Sequence, residues 1–123
     1  MWMGTSVMLF VRKITTLPPN ETWEAHQRHD LVLVDVRQRQ EWQSGVIAGA
    51  LLIPLNELPR RIDELPRENT VAFLCRSGHR SMLAARQARR HGIDVLSVKG
   101  GMIAWNRAGL PTSTPPRRAS HAT

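Results

Sequence analysis

Three observations predict an α/β sandwich of three layers, with a central, mainly parallel sheet flanked by helices. Short aliphatic runs alternate with helical patterns along the chain, as in βαβ units. Leu31-Val32-Leu33-Val34-Asp35-Val36 is a continuous β-branched and aliphatic run, the pattern of a strand covered on both faces. Ala84, Ala85 and Ala88 give one helix a small-residue face that can approach a sheet closely.

The elements follow in order. Ile14-Thr15-Thr16-Leu17 reads as a first strand ended by Pro18-Pro19. Asn20 is a good N-cap for a helix running to about His29. After the Leu31–Val36 strand, Arg39 to Gln43 reads as a short helix, and Gly45 and Gly49 mark a loop. Ala50-Leu51-Leu52-Ile53 is the next strand, closed by Pro54. Asn56 to Ile62 is a short helix before the Leu65-Pro66 turn, and Val71-Ala72-Phe73-Leu74 is a strand. The helix from Arg80 to His91 sets Arg86, Arg89 and Arg90 opposite its alanines, as a solvated face, and Gly92 suits its C-cap. Ile93 to Val98 is the last strand; Gly100-Gly101 opens a helix from Met102 to Arg107, stopped by Gly109 and Pro111. Residues 1–13 read as an N-terminal extension, 14–111 as a single domain, and the Pro-, Ser-, Thr- and Arg-rich residues 112–123 as a disordered tail.

The totals bound the function. A chain of 123 residues, 41% hydrophobic, fits one domain with one core. A single cysteine excludes an internal disulfide framework and a cysteine-only zinc site. Val7 to Val11 is too short for a membrane span or a secretory segment, so neither a membrane role nor targeting is expected. The net charge of +7 invites a nucleic-acid reading. Its arginines are spread out, however, and two phenylalanines and four tryptophans leave little for base stacking. No nucleic-acid partner is expected, and the charge reads as a basic surface attractive to small anions.

The chemistry concentrates in Cys75-Arg76-Ser77-Gly78-His79-Arg80-Ser81, between an apolar strand and a helix. A cysteine ending an apolar strand is most often inert core. Two arginines, a histidine and a glycine in the next five positions are not what a core needs. At a helix N-terminus, unpaired N–H groups and the helix dipole favour an anion, and Arg76, His79 and Arg80 add positive charge. These terms favour thiolate over thiol. Gly78 can adopt a dihedral costly for other residues, letting the loop N–H groups turn inward around the sulfur. A thiol that must stay reduced fits the cytoplasm. Asp35, Arg37 and Gly100-Gly101 lie at the ends of two other strands and are expected to converge on it. Their plain alternative is a bracing aspartate and a surface arginine. Trp42 and Trp105 read as core.

These residues resemble the rhodanese family of sulfurtransferases from about Ile14 to Pro111. Asp35-Val36-Arg37 with Glu41-Trp42, Gly45-Val46-Ile47-Ala48-Gly49-Ala50 with Ile53-Pro54, the Cys75–Ser81 loop, and Gly100-Gly101-Met102 with Trp105 stand in family order. Many members carry His and Pro where this chain has Val46 and Ala48, a departure that leaves the cysteine untouched. The resemblance implies a parallel sheet flanked by helices. It also implies a Cys75 persulfide that carries sulfur from an anionic donor such as thiosulfate to cyanide, a thiol or a protein acceptor, without metal or cofactor. Arg80 would point back to hold the loop, with Glu41 or Asp35 as its acid, and Asp35 would support the site. Arg76 and His79 would form the rim that meets the donor. Ser77, Gly78 and Ser81 belong to the loop, with Arg37 and Gly101 as support.

The alternatives are a rhodanese module that carries sulfur for a partner protein, and a phosphatase or arsenate reductase. Four residues separate Cys75 from Arg80, whereas the related phosphatases have five. The shorter loop favours one sulfur atom over a phosphate.

Overall fold

The computed structural model describes residues 13–117. The extension expected before Lys13 and the end of the expected tail lie outside the described residues.

Five strands form one sheet: β1 (Thr16–Leu17), β2 (Leu31–Asp35), β3 (Leu51–Leu52), β4 (Thr70–Leu74) and β5 (Val95–Val98). Their order across the sheet is β1-β5-β4-β2-β3, and every pairing is parallel. The helices are α1 (Pro19–Gln27), α2 (Leu58–Arg61), α3 (His79–Arg89) and α4 (Gly101–Arg107), with short 3-10 segments at Arg39–Ser44, Leu55–Glu57 and Ile62–Glu64. Parallel pairing requires crossovers, and with the helix that follows β5 they place α1 and α4 on one face and α2 and α3 on the other.

Strand alternation sorts the core into two layers. Val71, Phe73 and Cys75 face α3 with Val34, Val36, Ala84, Ala85 and Ala88. Ala72 and Leu74 face the opposite layer with Leu31, Leu33, Val98, Met102 and Trp105. The three alanines of α3 have no exposed surface, so the helix backbone lies directly on the sheet. Trp42 and Trp105 are buried, as their sequence setting implied.

Several boundaries differ from expectation. The first and third strands shrink to two paired residues each, because both lie at sheet edges and run into proline. The first helix starts at Pro19, with Pro18 rather than Asn20 at the N-cap. Proline at the first helical position needs no N–H partner and has φ already set. In place of the Asn56–Ile62 helix stand three short pieces between Leu55 and Glu64, and Pro59, lacking an N–H, cannot carry the ladder on from the first. Order also runs beyond Pro111: Ser113 exchanges backbone hydrogen bonds with Val46, at 2.7 and 2.9 Å. That bridge uses up backbone groups that a disordered segment would leave to water.

Candidate active site

The site forms at the carboxyl ends of β2, β4 and β5. The connections after β2 and β4 leave in opposite directions, towards β3 and β5, which opens a crevice between the two strands. Cys75 follows β4 at that point. Its residue is 1% exposed, so the thiol lies at the floor of the loop.

The loop curls around the sulfur. Gly78 has φ +114° and caps α3, a conformation costly for residues with a Cβ. Its N–H donates to Cys75 Sγ at 3.0 Å. Ser81, in the first turn of α3 and fully buried, sets its hydroxyl 3.6 Å from the same sulfur.

Ser97, on β5, went unnoticed in the sequence. Its hydroxyl lies 2.7 Å from that of Ser81, and the residue is 1% exposed. Ser81 has one hydroxyl proton and also lies 3.0 Å from the Gly78 carbonyl. A thiolate cannot donate, so Ser81 serves it only by turning its proton to the sulfur, and Ser97 then donates to Ser81. The signal was faint: a lone polar residue among Val95, Leu96 and Val98 in a buried strand.

Burial is the largest influence on the Cys75 thiol and pushes its pKa up. The Ser81 hydroxyl and the N–H groups of Ser81, Gly78 and Ser77 outweigh it, leaving the thiol more acidic than an ordinary cysteine. Hydrogen bonds lead this effect, and they include the N–H groups at the start of the helix that the sequence pointed to beside the neighbouring cations.

The cation nearest to hand is already engaged. Arg80 bonds Glu41 through both guanidinium ends, at 2.5 and 2.9 Å, tying the start of α3 to the 3-10 segment after β2. Glu41 is held at a pKa of about 2, chiefly by Arg80, and also accepts the Gln38 N–H. Of the two acids expected for Arg80, Glu41 is the partner. Asp35 instead binds Arg37, which is buried at 3% exposure rather than lying on the surface. Arg37 also donates to the carbonyls of Glu41 and Gly45, at 3.2 and 2.8 Å. The Arg80–Glu41 pair braces the loop from outside, the Asp35–Arg37 pair fixes the segment that carries Glu41, and neither carboxylate bonds the sulfur.

The loop's other flank rests on α4. The N–H groups of Met102 and Ile103 donate to the carbonyls of Cys75 and Arg76, at 2.8 and 3.1 Å. Arg76, Ser77 and His79 are exposed at the rim. A cleft of about 240 Å³ beside the loop is lined by Arg37, Glu41, Ser44, Arg76, Met102 and Asn106. A larger cavity of about 650 Å³ lies away from the cysteine, between Trp23, His26, Leu51 and Pro66. At Val46 the loop is held by the backbone bridge to Ser113. Among the described residues, no helix is long and apolar enough to cross a membrane.

The chain thus has a parallel-sheet α/β domain with a hydrogen-bonded cysteine in a strand-to-helix loop. The chain belongs to the rhodanese-like domain family, whose model matches residues 18–108. It is 41% identical to a sulfurtransferase of Allochromatium vinosum over 70% of this chain and 81% of the relative. It is 31% identical to the thiosulfate sulfurtransferase GlpE of Actinobacillus pleuropneumoniae over 81% of this chain and 94% of the relative. In structure it resembles a rhodanese-related protein of Thermoplasma volcanium, with a TM-score of 0.77, 27% identity, and coverage of 82% of this chain and 99% of that one. The family is one of sulfurtransferases.

Proposed function

We propose that this protein moves a sulfane sulfur from an anionic donor such as thiosulfate to cyanide or a thiol, through a persulfide on Cys75. One observation carries the reading: a buried sulfur that accepts the Gly78 N–H at 3.0 Å, in a loop with only four residues before the arginine. Such a cradle admits one protruding atom. Thiosulfate presents a single terminal sulfur, whereas a phosphate needs room for three oxygens around the reacting atom.

The Cys75 thiolate attacks the outer sulfur of thiosulfate. The sulfur–sulfur bond of the donor breaks, and sulfite leaves with its electron pair. The loop N–H groups from Arg76 to Arg80 stabilise the terminal persulfide anion as an oxyanion hole would. Cyanide or a thiolate then attacks that outer sulfur and leaves as thiocyanate or a new persulfide, returning the Cys75 thiolate. Arg76 and His79 attract the anionic donor at the rim. Arg80 with Glu41, Asp35 with Arg37, and Gly101 hold the loop, while Ser81 stabilises the thiolate. The thiol must stay reduced between cycles, which fits a cytoplasmic setting.

The test is the mass of the intact protein after thiosulfate treatment. One added sulfur atom, removed by cyanide and absent in Cys75→Ser, is the expected result. Thiocyanate production by Cys75→Ser, or phosphatase turnover without sulfur transfer, overturns the reading.

A further inference from the structure

We infer that the exposed face of α3 docks an acidic, thiol-bearing protein that receives sulfur from Cys75. The chemistry of that transfer rests on the function proposed above, but the docking itself does not.

His79, Leu83, Arg86 and Arg90 are all exposed. They follow one another at four, three and four residues, so at ~100° per residue they fall within an arc of about 60° and extend over ~16 Å. The row starts at the first residue of α3, next to the glycine whose N–H touches the catalytic sulfur. It leads directly away from the mouth of the loop.

The charge on this row is unspent. Residues 75–93 contain no aspartate or glutamate. Among the described residues, Arg28, Arg37, Arg39, Arg61 and Arg80 each pair with a carboxylate, whereas Arg86 and Arg90 enter no ion pair. Leu83, at 42% exposure, stands in the middle of the row as a large apolar residue open to solvent. Cations around an apolar centre match a protein surface that offers carboxylates around an apolar contact. A phosphate backbone would leave Leu83 uncovered, and the row carries no phenylalanine, tyrosine or tryptophan to make a platform for stacked bases. A small thiol needs only the loop mouth and would not span the row.

The probe is a peptide with one cysteine followed by alternating glutamate and leucine, and its control has glutamine for each glutamate. Binding is read by fluorescence anisotropy, with serine in place of the peptide cysteine, so that no chemistry is needed. Wild-type protein should bind the glutamate peptide about tenfold more tightly than the glutamine one, and raised salt should erase the difference. The double variant Arg86→Glu, Arg90→Glu should lose that preference. Its transfer of sulfur to the glutamate peptide should fall about tenfold, with transfer to cyanide unchanged. Leu83→Ala should weaken binding at high salt as well. Equal binding of the two peptides, or unchanged binding by the charge-reversed variant, overturns the inference. So does tighter, Arg86-dependent binding of a single-stranded oligonucleotide. If the peptide binds as expected and the wild type moves no sulfur even to cyanide, the docking face stands and the sulfurtransferase reading falls.

Discussion

Gly101 lies against the carbonyl of Cys75 so closely that a Cβ there would fall 2.4 Å from that oxygen. It would also fall 2.5 Å from the carbonyl oxygen of Arg76. Gly101 has φ +58°, and the next two N–H groups of α4 donate to the same two carbonyls. The outer side of the cysteine loop is therefore set by a residue on the helix that follows the last strand, and it is set through backbone alone.

Gly101→Ala consequently meets fixed backbone, with no flexible side chain able to yield. The loop must move off α4, and a shift of about 1 Å at a reacting centre can cost ~100-fold. Sulfur transfer should drop by about that factor, with a lower melting temperature from the strained φ. Near wild-type kinetics would show that the loop does not depend on this contact.

The serine pair makes a graded prediction. Ser81→Ala removes a hydroxyl from the thiolate, and such a bond to a charged group is worth ~1.5–3 kcal/mol. The rate should fall ~10–100-fold, and the pH midpoint for alkylation of Cys75 should rise. Ser97→Ala should raise the same midpoint by less, because Ser81 keeps its proton but loses the Ser97 bond that polarises its hydroxyl into a stronger donor. If Ser97→Ala lowers the melting temperature and leaves the midpoint in place, Ser97 is only a packing residue.

The Arg80–Glu41 pair predicts a pH dependence with a definite sign. Glu41 titrates at about 2 in the fold, below the ~4.3 of an unfolded glutamate. Its contribution to stability is therefore present above about pH 4 and is lost as pH falls towards 2. Arg80→Ala should lower both the melting temperature and the rate at neutral pH. The melting-temperature gap to wild type should narrow as the solution is acidified. A gap that stays constant with pH would mean that the guanidinium acts by packing and not through the carboxylate.

Arg76 is exposed and forms no ion pair among the described residues. Arg76→Ala should therefore raise KM for thiosulfate several-fold and change kcat little, an effect that shrinks with salt. A loss confined to kcat would move Arg76 from the rim into the reacting centre.

Much of this was legible in the chain, because it depends on neighbours in sequence. Val71, Phe73 and Cys75 share a face by strand alternation, the alanines of α3 share one by helical spacing, and Gly78 stands where the loop needs a positive φ. Periodicity and local turn chemistry therefore determined the sheet, its covered faces and the cysteine loop. Partner choice was not legible. Glu41 and Asp35 were equal candidates for Arg80 until the crossover after β2 brought Glu41 within reach and buried Asp35 against Arg37. Ser97 looked like an ordinary strand residue until pairing β5 beside β4 set its hydroxyl against Ser81. Ser113 bonds Val46 across the fold, where composition alone implied disorder. Hydrogen bonds and ion pairs act over about 3 Å, so which distant residues come that close is decided by sheet order and helix packing, and a linear pattern carries no measure of that distance.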